Sequence, residues 1–200
     1  MSESVAVSGV PSTLRLAVLP RPRLLTDVVL VAFGAGLIAA SAQVSLSLPF
    51  TPVPITGQTF AVLLVGASYG TLRGGSSALL YVLLGIAGAP VYAHGASGWA
   101  VITGASGGYL LSYPLVSALT GLLAQRRWDR RFSSAVGAML TGNVLIYLCG
   151  LPWLAVVLHT NLEKTLEYGL YPFVPGDLFK LYLAAGALPA AWRFAGRLRS

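Results

Sequence analysis

Charged residues are scarce in this sequence, and the few that occur are unevenly spaced. Asp, Glu, Lys and Arg make up 10% of the chain, against about 25% in an average soluble domain. None of them occurs between Asp27 and Arg73, between Arg73 and Arg126, or between Arg131 and Glu163. Water does not stabilise such long uncharged runs, whereas a bilayer requires them. Together with 56% hydrophobic residues and a mean hydropathy of +0.75, the composition predicts a polytopic membrane protein.

Cysteine and histidine are also rare, which excludes most metal and redox sites. The single cysteine, Cys149, lies in an apolar run and allows neither a disulfide framework nor a thiolate metal site. The two histidines, His94 and His159, stand alone and are interpreted as polar loop residues. We therefore expect no metal and no cofactor.

Several functional motifs are absent. The net charge of +7 comes without a basic groove interleaved with aromatic residues, so no nucleic-acid partner is expected. No G-x-x-x-x-G-K-[ST] loop occurs, so the chain is not expected to hydrolyse ATP alone. The start, MSESVAVSGVPSTLRLAVLPRPR, lacks the pattern of a signal peptide and is interpreted as a cytoplasmic tail.

Six apolar segments are present, each with the length of roughly 20 residues that a membrane-spanning helix needs. They cover approximately residues 25–48, 57–72, 74–92, 107–126, 133–158 and 175–195. Only LRGG separates the second from the third, which predicts a tight helical hairpin. The sequence thus predicts an all-α integral membrane protein with one domain at 25–195, a tail at 1–24 and a basic tail at 196–200.

The arginines predict the orientation of these spans. If the N-terminus is cytoplasmic, eleven arginines face the cytoplasm, and the outer loops contain one basic residue, Lys164. This is a strong positive-inside asymmetry, and it predicts an even number of spans with both termini in the cytoplasm. The eleven are Arg15, Arg21, Arg23, Arg73, Arg126, Arg127, Arg130, Arg131, Arg193, Arg197 and Arg199.

The outer loops are uncharged where the first four spans meet. SLPFTPVPITGQ is rich in proline, and GAPVYAHGASGWAVITGASGG is rich in glycine and small residues. Irregular uncharged backbone of this kind is expected to fold back over the bundle and line a cavity. The last outer loop, HTNLEKTLEYGLYPFVP, is expected to contain a short interfacial helix.

The last span, FVPGDLFKLYLAAGALPAAW, contains two opposite charges, Asp177 and Lys180. A charge at mid-bilayer costs roughly 2.5–3.5 kcal/mol on insertion scales, so intramembrane charges usually mark functional sites. Pro175 and Gly176 place Asp177 in the first helical turn, where free backbone N–H groups and the helix dipole favour a carboxylate. The pair is interpreted either as a structural ion pair or as a site for a small polar ligand.

Other residues near the outer surface are weaker candidates for the same site. Gln58 either binds a ligand or caps its helix, and Asn143 either binds a ligand or bonds across helices. The aromatic residues are either interfacial anchors or walls of an apolar pocket. The complete set of further candidates is Gln58, Tyr92, Ser97, Trp99, Tyr109 and Asn143.

A serine-protease function is the main alternative. GASGG contains Ser106 and GASG contains Ser97, and six spans with a GASG sequence resemble the rhomboid intramembrane proteases. That chemistry needs a histidine on the last core helix to take the serine proton. The sixth span has no histidine, so we interpret these sequences as tight loop turns.

The first span carries a stripe of small residues, Ala32, Gly36 and Ala40, with Ala35 and Ala39 beside it. Such spacing allows another helix to approach closely. The partner is either a helix of the same chain or a separate membrane subunit.

Five sequence blocks resemble BioY, the biotin-binding S component of energy-coupling factor (ECF) transporters. They occur in order between about residues 25 and 190, and the Asp-Lys block after Pro-Gly is the most specific. The blocks are PVPITGQTFAVLLVGASYG, SSALLYVLLGIAGAPVYA, TGASGGYLLSYPL, GNVLIYLCGLPWLA and PFVPGDLFKLYLAA.

The resemblance implies a six-helix bundle with a biotin site near the outer surface under the outer loops. It also implies that Asp177 and Lys180 bind the vitamin, while Gln58 and Tyr109 match two further blocks of the family. Asp177 would accept from the ureido ring of biotin, and Lys180 would contact either the ureido carbonyl or the valerate carboxylate.

The resemblance further implies a non-enzymatic function in a prokaryotic plasma membrane, with lipids as neighbours. Transport would need a transmembrane coupling subunit, docked on the small-residue stripe, and a pair of ATPase subunits. An S component for another vitamin is the remaining alternative.

Overall fold

The computed structural model describes residues 13–14 and 24–197, and α-helices dominate this part of the chain. Two short strands, β1 and β2, form an antiparallel ribbon in which Ser45 pairs with Thr56. The prediction of a helical fold is therefore confirmed, with the small β1–β2 ribbon as an addition. In chain order the elements are α1 (Leu24–Gln43), β1 (Ser45–Leu46), β2 (Ile55–Thr56), α2 (Gln58–Tyr69), α3 (Thr71–Ile86), a 3-10 turn (Ala93–Gly95), α4 (Trp99–Thr103), α5 (Gly107–Gln125), α6 (Phe132–Leu158), α7 (Leu162–Gly169) and α8 (Val174–Arg197).

The predicted tails fall largely on residues that the structure does not describe. Of the tails at 1–24 and 196–200, only residues 13–14, 24 and 196–197 are described. The orientation argument from Arg15, Arg21, Arg23 and Arg199 therefore concerns positions outside the described residues.

Each of the six predicted apolar segments contains a helix, but several predicted ends were wrong. Helix α1 ends at Gln43 instead of 48, because the chain there enters the β1–β2 ribbon. The LRGG sequence lies inside α3 and does not connect two helices. The connection is Gly70 alone, whose φ of 85° is a backbone conformation that glycine adopts without steric cost.

Helices α1, α5 and α6 are long and apolar enough to cross a membrane by length and composition. Helices α2 and α3 are apolar but shorter, with 12 and 16 residues. Large apolar side chains project outward from several helices, among them Phe33 on α1, Leu148 on α6 and Phe179 on α8, each about two-thirds exposed. Exposed apolar surface of this kind is unusual for a soluble monomer.

Helix α5 lies at the centre of the bundle and packs against α2, α3 and α6. Helix α1 packs on α3, and α8 packs on α2 and α6. Because α5 is in the centre, buried side chains occur all around it, including Tyr109, Tyr113, Val116 and Thr120. This arrangement brings the first turns of α2, α5 and α8 together at one end of the bundle.

The opposite end of the bundle holds most of the described charged residues. Arg73 donates to both carboxylate oxygens of Asp27, at 2.7 and 2.9 Å, and so joins α3 to α1. Thr71 donates to Gln125 at 2.9 Å and joins the start of α3 to the end of α5. The arginine-rich α5–α6 loop lies at the same end, which is the end predicted to be cytoplasmic.

The α5–α6 loop is fixed to α8 by a buried carboxylate. Asp129 is 1% exposed, and its Oδ2 accepts a hydrogen bond from Trp192 Nε1 at 2.5 Å. The guanidinium carbon of Arg130 lies 4.4 Å from the centre of the Trp192 ring, in a cation–π arrangement. Burial raises the pKa of the Asp129 carboxyl above its usual value.

We expect Asp129→Asn to stabilise the protein at neutral pH. A carboxyl whose pKa is raised by folding lowers the folding stability as pH rises from about 3.9, its unfolded value, through the raised value. An amide keeps an oxygen for Trp192 Nε1 but carries no charge. We expect the Tm at pH 7 to rise by roughly 2–4 °C, as about 1 kcal/mol would produce in a chain of this size.

Thermal unfolding in detergent at pH 7 and at pH 4 tests this prediction. The difference between Asp129→Asn and the wild type should shrink toward pH 4. Glu163→Gln, at an exposed position on α7, is the matched control and should leave the Tm unchanged at both pH values. A lower Tm for Asp129→Asn at pH 7 would show that the ionised carboxylate stabilises the fold.

Candidate functional site

A cavity of about 220 Å³ lies where the first turns of α2, α5 and α8 meet. The middle of α6, the β1–β2 ribbon and the loop between α3 and α4 complete its wall. Its apolar lining includes Val53, Val101, Leu110, Ile146 and Phe173. A mostly apolar cavity with a few convergent polar groups is typical of a small-molecule site.

Asp177 and Lys180 both line this cavity and form an ion pair. Lys180 Nζ lies 2.8 Å from Asp177 Oδ1. Asp177 lies in the first turn of α8, where its backbone N–H donates to the Phe173 carbonyl at 2.8 Å. The helix dipole and the ammonium group therefore both stabilise the carboxylate in its buried position.

The ammonium group of Lys180 has three hydrogen-bond acceptors within the protein. Besides Asp177, it donates to the backbone carbonyl of Thr56 at 2.9 Å and to the hydroxyl of Thr59 at 3.1 Å. An ammonium has three N–H donors, so each has an acceptor. A ligand carbonyl that binds Lys180 must therefore replace one of these acceptors.

The other carboxylate oxygen of Asp177 accepts a hydrogen bond from the hydroxyl of Tyr147 on α6. Thr59 on α2 also donates to Asp177, at 3.5 Å. Side chains of α2, α6 and α8 thus meet at one carboxylate, which fixes its position relative to the cavity.

Gln58 also lines the cavity, and both polar atoms of its side-chain amide form hydrogen bonds. Its Nε2 donates to the Tyr81 hydroxyl at 2.9 Å, and its Oε1 accepts from the Tyr113 hydroxyl at 2.9 Å. Gln58 is 4% exposed, so these bonds satisfy polar atoms that are shielded from water. The two tyrosines fix the amide orientation at the cavity wall.

Two further tyrosines, Tyr109 and Tyr92, also line the cavity. The Tyr109 hydroxyl donates to the Gly169 carbonyl at 3.0 Å, which joins α5 to α7. The Tyr92 hydroxyl donates to the Val82 carbonyl at 2.7 Å, and burial raises the pKa of Tyr92 to about 12. A Cβ at Gly85 would overlap the Tyr92 ring, so glycine is required for this close approach.

A family model described as the BioY family matches residues 8–197, nearly the whole chain. The chain belongs to the BioY family.

Individual relatives agree with this assignment. The probable biotin transporter BioY of Pyrococcus horikoshii is 37% identical over 170 residues, which cover 85% of this BioY chain and 96% of that protein. The biotin transporter BioY of Rhizobium etli is 34% identical over 80% of this chain and 89% of that protein.

A solved structure has the same fold. The crystal structure of the S component for biotin from an ECF-type ABC transporter matches with a TM-score of 0.76 at 25% identity, covering 84% of this chain and 92% of that chain. The predicted family resemblance is confirmed, and the BioY chain has the fold of an ECF S component.

The cavity of this BioY chain contains five of the eight residues predicted to bind a ligand. These five are Gln58, Tyr92, Tyr109, Asp177 and Lys180. The remaining three, Ser97, Trp99 and Asn143, do not line it.

The structure explains why two of these residues, Trp99 and Asn143, do not line the cavity. Trp99 follows Gly98, whose φ of 87° turns the chain, and the indole is 62% exposed at the start of α4. Asn143 is buried on α6 one helical turn before Tyr147, so Tyr147 and Ile146 reach the cavity in its place. Both side chains lie outside the cavity lining, and their predicted contact with a ligand stays a prediction.

Several polar cavity residues were missed by the sequence analysis, namely Thr56, Thr59, His94, Tyr113 and Tyr147. Tyr113 follows Tyr109 by one helical turn and therefore lies on the same face of α5, which was a usable signal. Tyr147 offered no such signal, since its contact with Asp177 depends on how α6 packs against α8.

The loops that close the cavity are hydrogen-bonded to each other. The two ring nitrogens of His94 lie 3.1 Å from the Ser45 hydroxyl and 2.8 Å from the Ser47 hydroxyl. The Gly95 backbone N–H donates to Gln43 Oε1 at 3.1 Å. The loop after α3 is thereby tied to the end of α1 and to the chain that follows it.

Ser106, the serine of the protease alternative, also lines the cavity. His94 also lines the cavity, and its ring nitrogens are within hydrogen-bonding distance of Ser45 and Ser47. Within the described residues, no group of three His, Cys, Asp or Glu side chains is arranged to hold a metal. No observation at Ser106 favours the protease hypothesis over ligand binding.

The small-residue stripe on α1 divides into an outer and an inner part. Ala32, Gly36 and Ala40 are exposed, and a Cβ at Gly36 would have no neighbour within 4 Å. Ala35 is 2% exposed and Ala39 is partly buried against the core. Only the first three of the five predicted docking residues are therefore available to another helix.

Proposed function

We propose that this chain is the biotin-binding S component of an ECF-type transporter. It captures biotin at the outer side of a prokaryotic plasma membrane and releases it inward when an energising module hydrolyses ATP. The observation that carries this proposal is the Asp177–Lys180 pair in a largely apolar cavity of a BioY-family chain. The relatives named as biotin transporters supply the identity of the ligand.

The chemistry of the pair fits the ureido end of biotin. A ureido group presents N–H donors next to a carbonyl acceptor, and Asp177 and Lys180 present an acceptor next to a donor, 2.8 Å apart. The valerate carboxylate is less suited to this place, because it would bring a second negative charge beside Asp177. We therefore assign the ureido carbonyl to Lys180 and one ureido N–H to Asp177.

The remainder of the ligand is apolar and needs an apolar surface. Val53, Leu110, Ile146 and Phe173 provide one beside the polar groups. Gln58, Tyr92 and Tyr109 contribute to the wall, as the family resemblance implies for Gln58 and Tyr109. Biotin leaves the cavity chemically unchanged, so the proposal assigns no catalytic step and no cofactor to this chain.

The topology we propose has six spans and both termini in the cytoplasm. The six spans are α1, α2, α3, α5, α6 and α8. Arg73 and the arginines of the α5–α6 loop lie at the end of the bundle opposite the cavity. Under the positive-inside rule this arrangement directs the cavity outward.

Transport needs partners that supply energy. Ala32, Gly36 and Ala40 form an exposed path on which a helix of the coupling subunit can pack closely. The ATPase subunits would act through that subunit, since no phosphate-binding loop occurs in this sequence. The remaining outer surface of the helices contacts membrane lipids.

Equilibrium binding of radiolabelled biotin to the purified chain tests the function directly. We expect saturable binding of one biotin per chain in detergent or nanodiscs, without any partner subunit. Unlabelled biotin should displace the label, whereas riboflavin or thiamine at equal concentration should not. Displacement by one of those vitamins would assign the chain to a different ligand, and absence of saturable binding would refute the proposal.

A further inference from the structure

The end of the bundle that is predicted to be cytoplasmic has more positive charge than its own acidic residues balance. Its two described acids are engaged, because Asp27 is paired with Arg73 and Asp129 is 1% exposed. Among the described residues, the remaining exposed arginines at this end form no ion pair, so they can bind an anion from outside the chain. These arginines are Arg126, Arg127, Arg131 and Arg193.

The α5–α6 loop, residues 126–131, is short and is bonded to the helices around it. The backbone N–H of Arg126 donates to the Leu123 carbonyl at 3.0 Å, which folds the start of the loop against the last turn of α5. The hydrogen bond from Trp192 to Asp129 joins the loop to α8. A loop held in this way keeps its arginine side chains close to the ends of the helices.

Aromatic side chains flank these arginines. Trp128 in the loop, Phe132 at the start of α6 and Phe194 near the end of α8 are all more than 40% exposed. Exposed aromatic residues at the ends of membrane-spanning helices lie at the level of the lipid headgroups. The arginines between them therefore lie at the depth of the lipid phosphates, which favours a lipid over a soluble partner.

The phosphate of an anionic lipid suits guanidinium groups. The planar fork of a guanidinium group donates two parallel hydrogen bonds to two oxygens of one phosphate. Phosphatidylglycerol carries a net negative charge, whereas phosphatidylcholine also carries a cationic group that arginines repel. Each arginine close to an anionic surface strengthens the attraction about fivefold, so several together distinguish between the two lipids.

We propose that the α5–α6 loop is a binding site for the headgroups of anionic phospholipids, in which Arg126, Arg127 and Arg131 contact the lipid phosphate. Arg193 on α8, next to Trp192 in sequence, extends this positive surface. The site lies at the end of the bundle opposite the cavity, and none of these arginines lines the cavity. The inference rests on the proposed topology and not on the identity of the transported vitamin.

Native mass spectrometry of the purified chain in neutral detergent, titrated with lipids of identical acyl chains, tests this inference. The wild type should bind phosphatidylglycerol at least tenfold more tightly than phosphatidylcholine. In the triple variant Arg126→Gln/Arg127→Gln/Arg131→Gln, this ratio should fall below threefold, because glutamine keeps hydrogen-bond donors but carries no charge. Equal affinities of the wild type for the two lipids would overturn the proposal.

The triple variant Arg126→Lys/Arg127→Lys/Arg131→Lys is the matched control. It changes the same three positions but keeps their charge, so it should retain at least a fivefold preference for phosphatidylglycerol. Lys164→Gln removes a positive charge from an exposed position on α7 and should leave the preference unchanged. If the lysine and glutamine triple variants lose the preference equally, the cause is a changed loop structure and the assignment to charge fails.

Further measurements separate a lipid from other partners. Millimolar inorganic phosphate should not displace phosphatidylglycerol, and displacement would make the loop a phosphate site instead. If the wild type shows no lipid preference and the glutamine variant loses binding to the coupling and ATPase subunits, the loop contacts protein and the proposal is wrong. Should the triple variants not fold, the salt dependence of the wild-type preference still decides, because a preference based on exposed charge must weaken as salt rises.

Discussion

The Asp177→Asn variant is expected to bind biotin at least tenfold more weakly than the wild type, a loss of about 1.4 kcal/mol. Asp177 is hydrogen-bonded to both Lys180 and Tyr147, and under the proposed function it also contacts the ligand. An amide removes the negative charge and replaces one of the two acceptor oxygens with a donor, which would face the N–H of the ligand. Radiolabelled biotin binding at equilibrium, with the Tm measured on the same preparation, gives the result.

The rival explanation is that the ion pair only holds the bundle together. Removing one member of a buried pair costs roughly 3–5 kcal/mol of stability, because the other charge is left uncompensated. The double variant Asp177→Asn/Lys180→Gln removes both charges and should recover much of the Tm lost in the single variant. We expect its biotin affinity to stay at least tenfold below that of the wild type. Wild-type affinity in the double variant would make the pair structural.

The Gly36→Leu variant is expected to lose at least tenfold in biotin uptake while binding biotin within twofold of the wild-type affinity. Gly36 is exposed on α1 between Ala32 and Ala40, and a Cβ there would have no neighbour within 4 Å. A leucine would therefore leave the fold intact but keep a partner helix from approaching closely. Uptake is measured in cells that coexpress the coupling and ATPase subunits, and binding is measured on the purified chain.

Gly186→Leu provides a matched control for this experiment. Gly186 is also an exposed helical glycine without a neighbour within 4 Å, but it lies on α8. We expect it to leave both uptake and binding unchanged. Equal uptake by the two variants would place the docking surface elsewhere, and a binding defect in Gly36→Leu would trace the loss to the fold.

Charge spacing was enough to locate the helices in the sequence, because a membrane interior tolerates few charged side chains. The helix ends were harder to predict. The apolar run that continues past Gln43 looks like more helix by composition, yet it forms the β1–β2 ribbon, which depends on pairing with residues nine to eleven positions later. Likewise, Gly70 ends α2 by its backbone conformation, whereas the more conspicuous LRGG remains helical.

The candidate site shows the same division between local and long-range information. Asp177 and Lys180 could be identified from the sequence because charged residues are rare in a membrane-spanning helix and usually mark a functional site. Tyr147 looks like any interfacial tyrosine until α6 and α8 are packed together. Asn143 is a polar residue in an apolar helix and was therefore a candidate in the sequence, but it lies one helical turn before Tyr147 and does not line the cavity.

The Lys180 ammonium group bonds to Asp177 within α8, to Thr59 on α2 and to the Thr56 backbone in β2. A ligand that binds Lys180 would therefore affect how β2 is attached to α8. A ligand carbonyl that replaces Thr59 would leave the hydrogen bond between Lys180 and the Thr56 carbonyl intact, so β2 would remain bonded to α8. A ligand that instead replaces Thr56 would remove this hydrogen bond between β2 and α8. Under the proposed function, a ligand carbonyl and the loop residue Thr56 therefore compete for the N–H groups of Lys180.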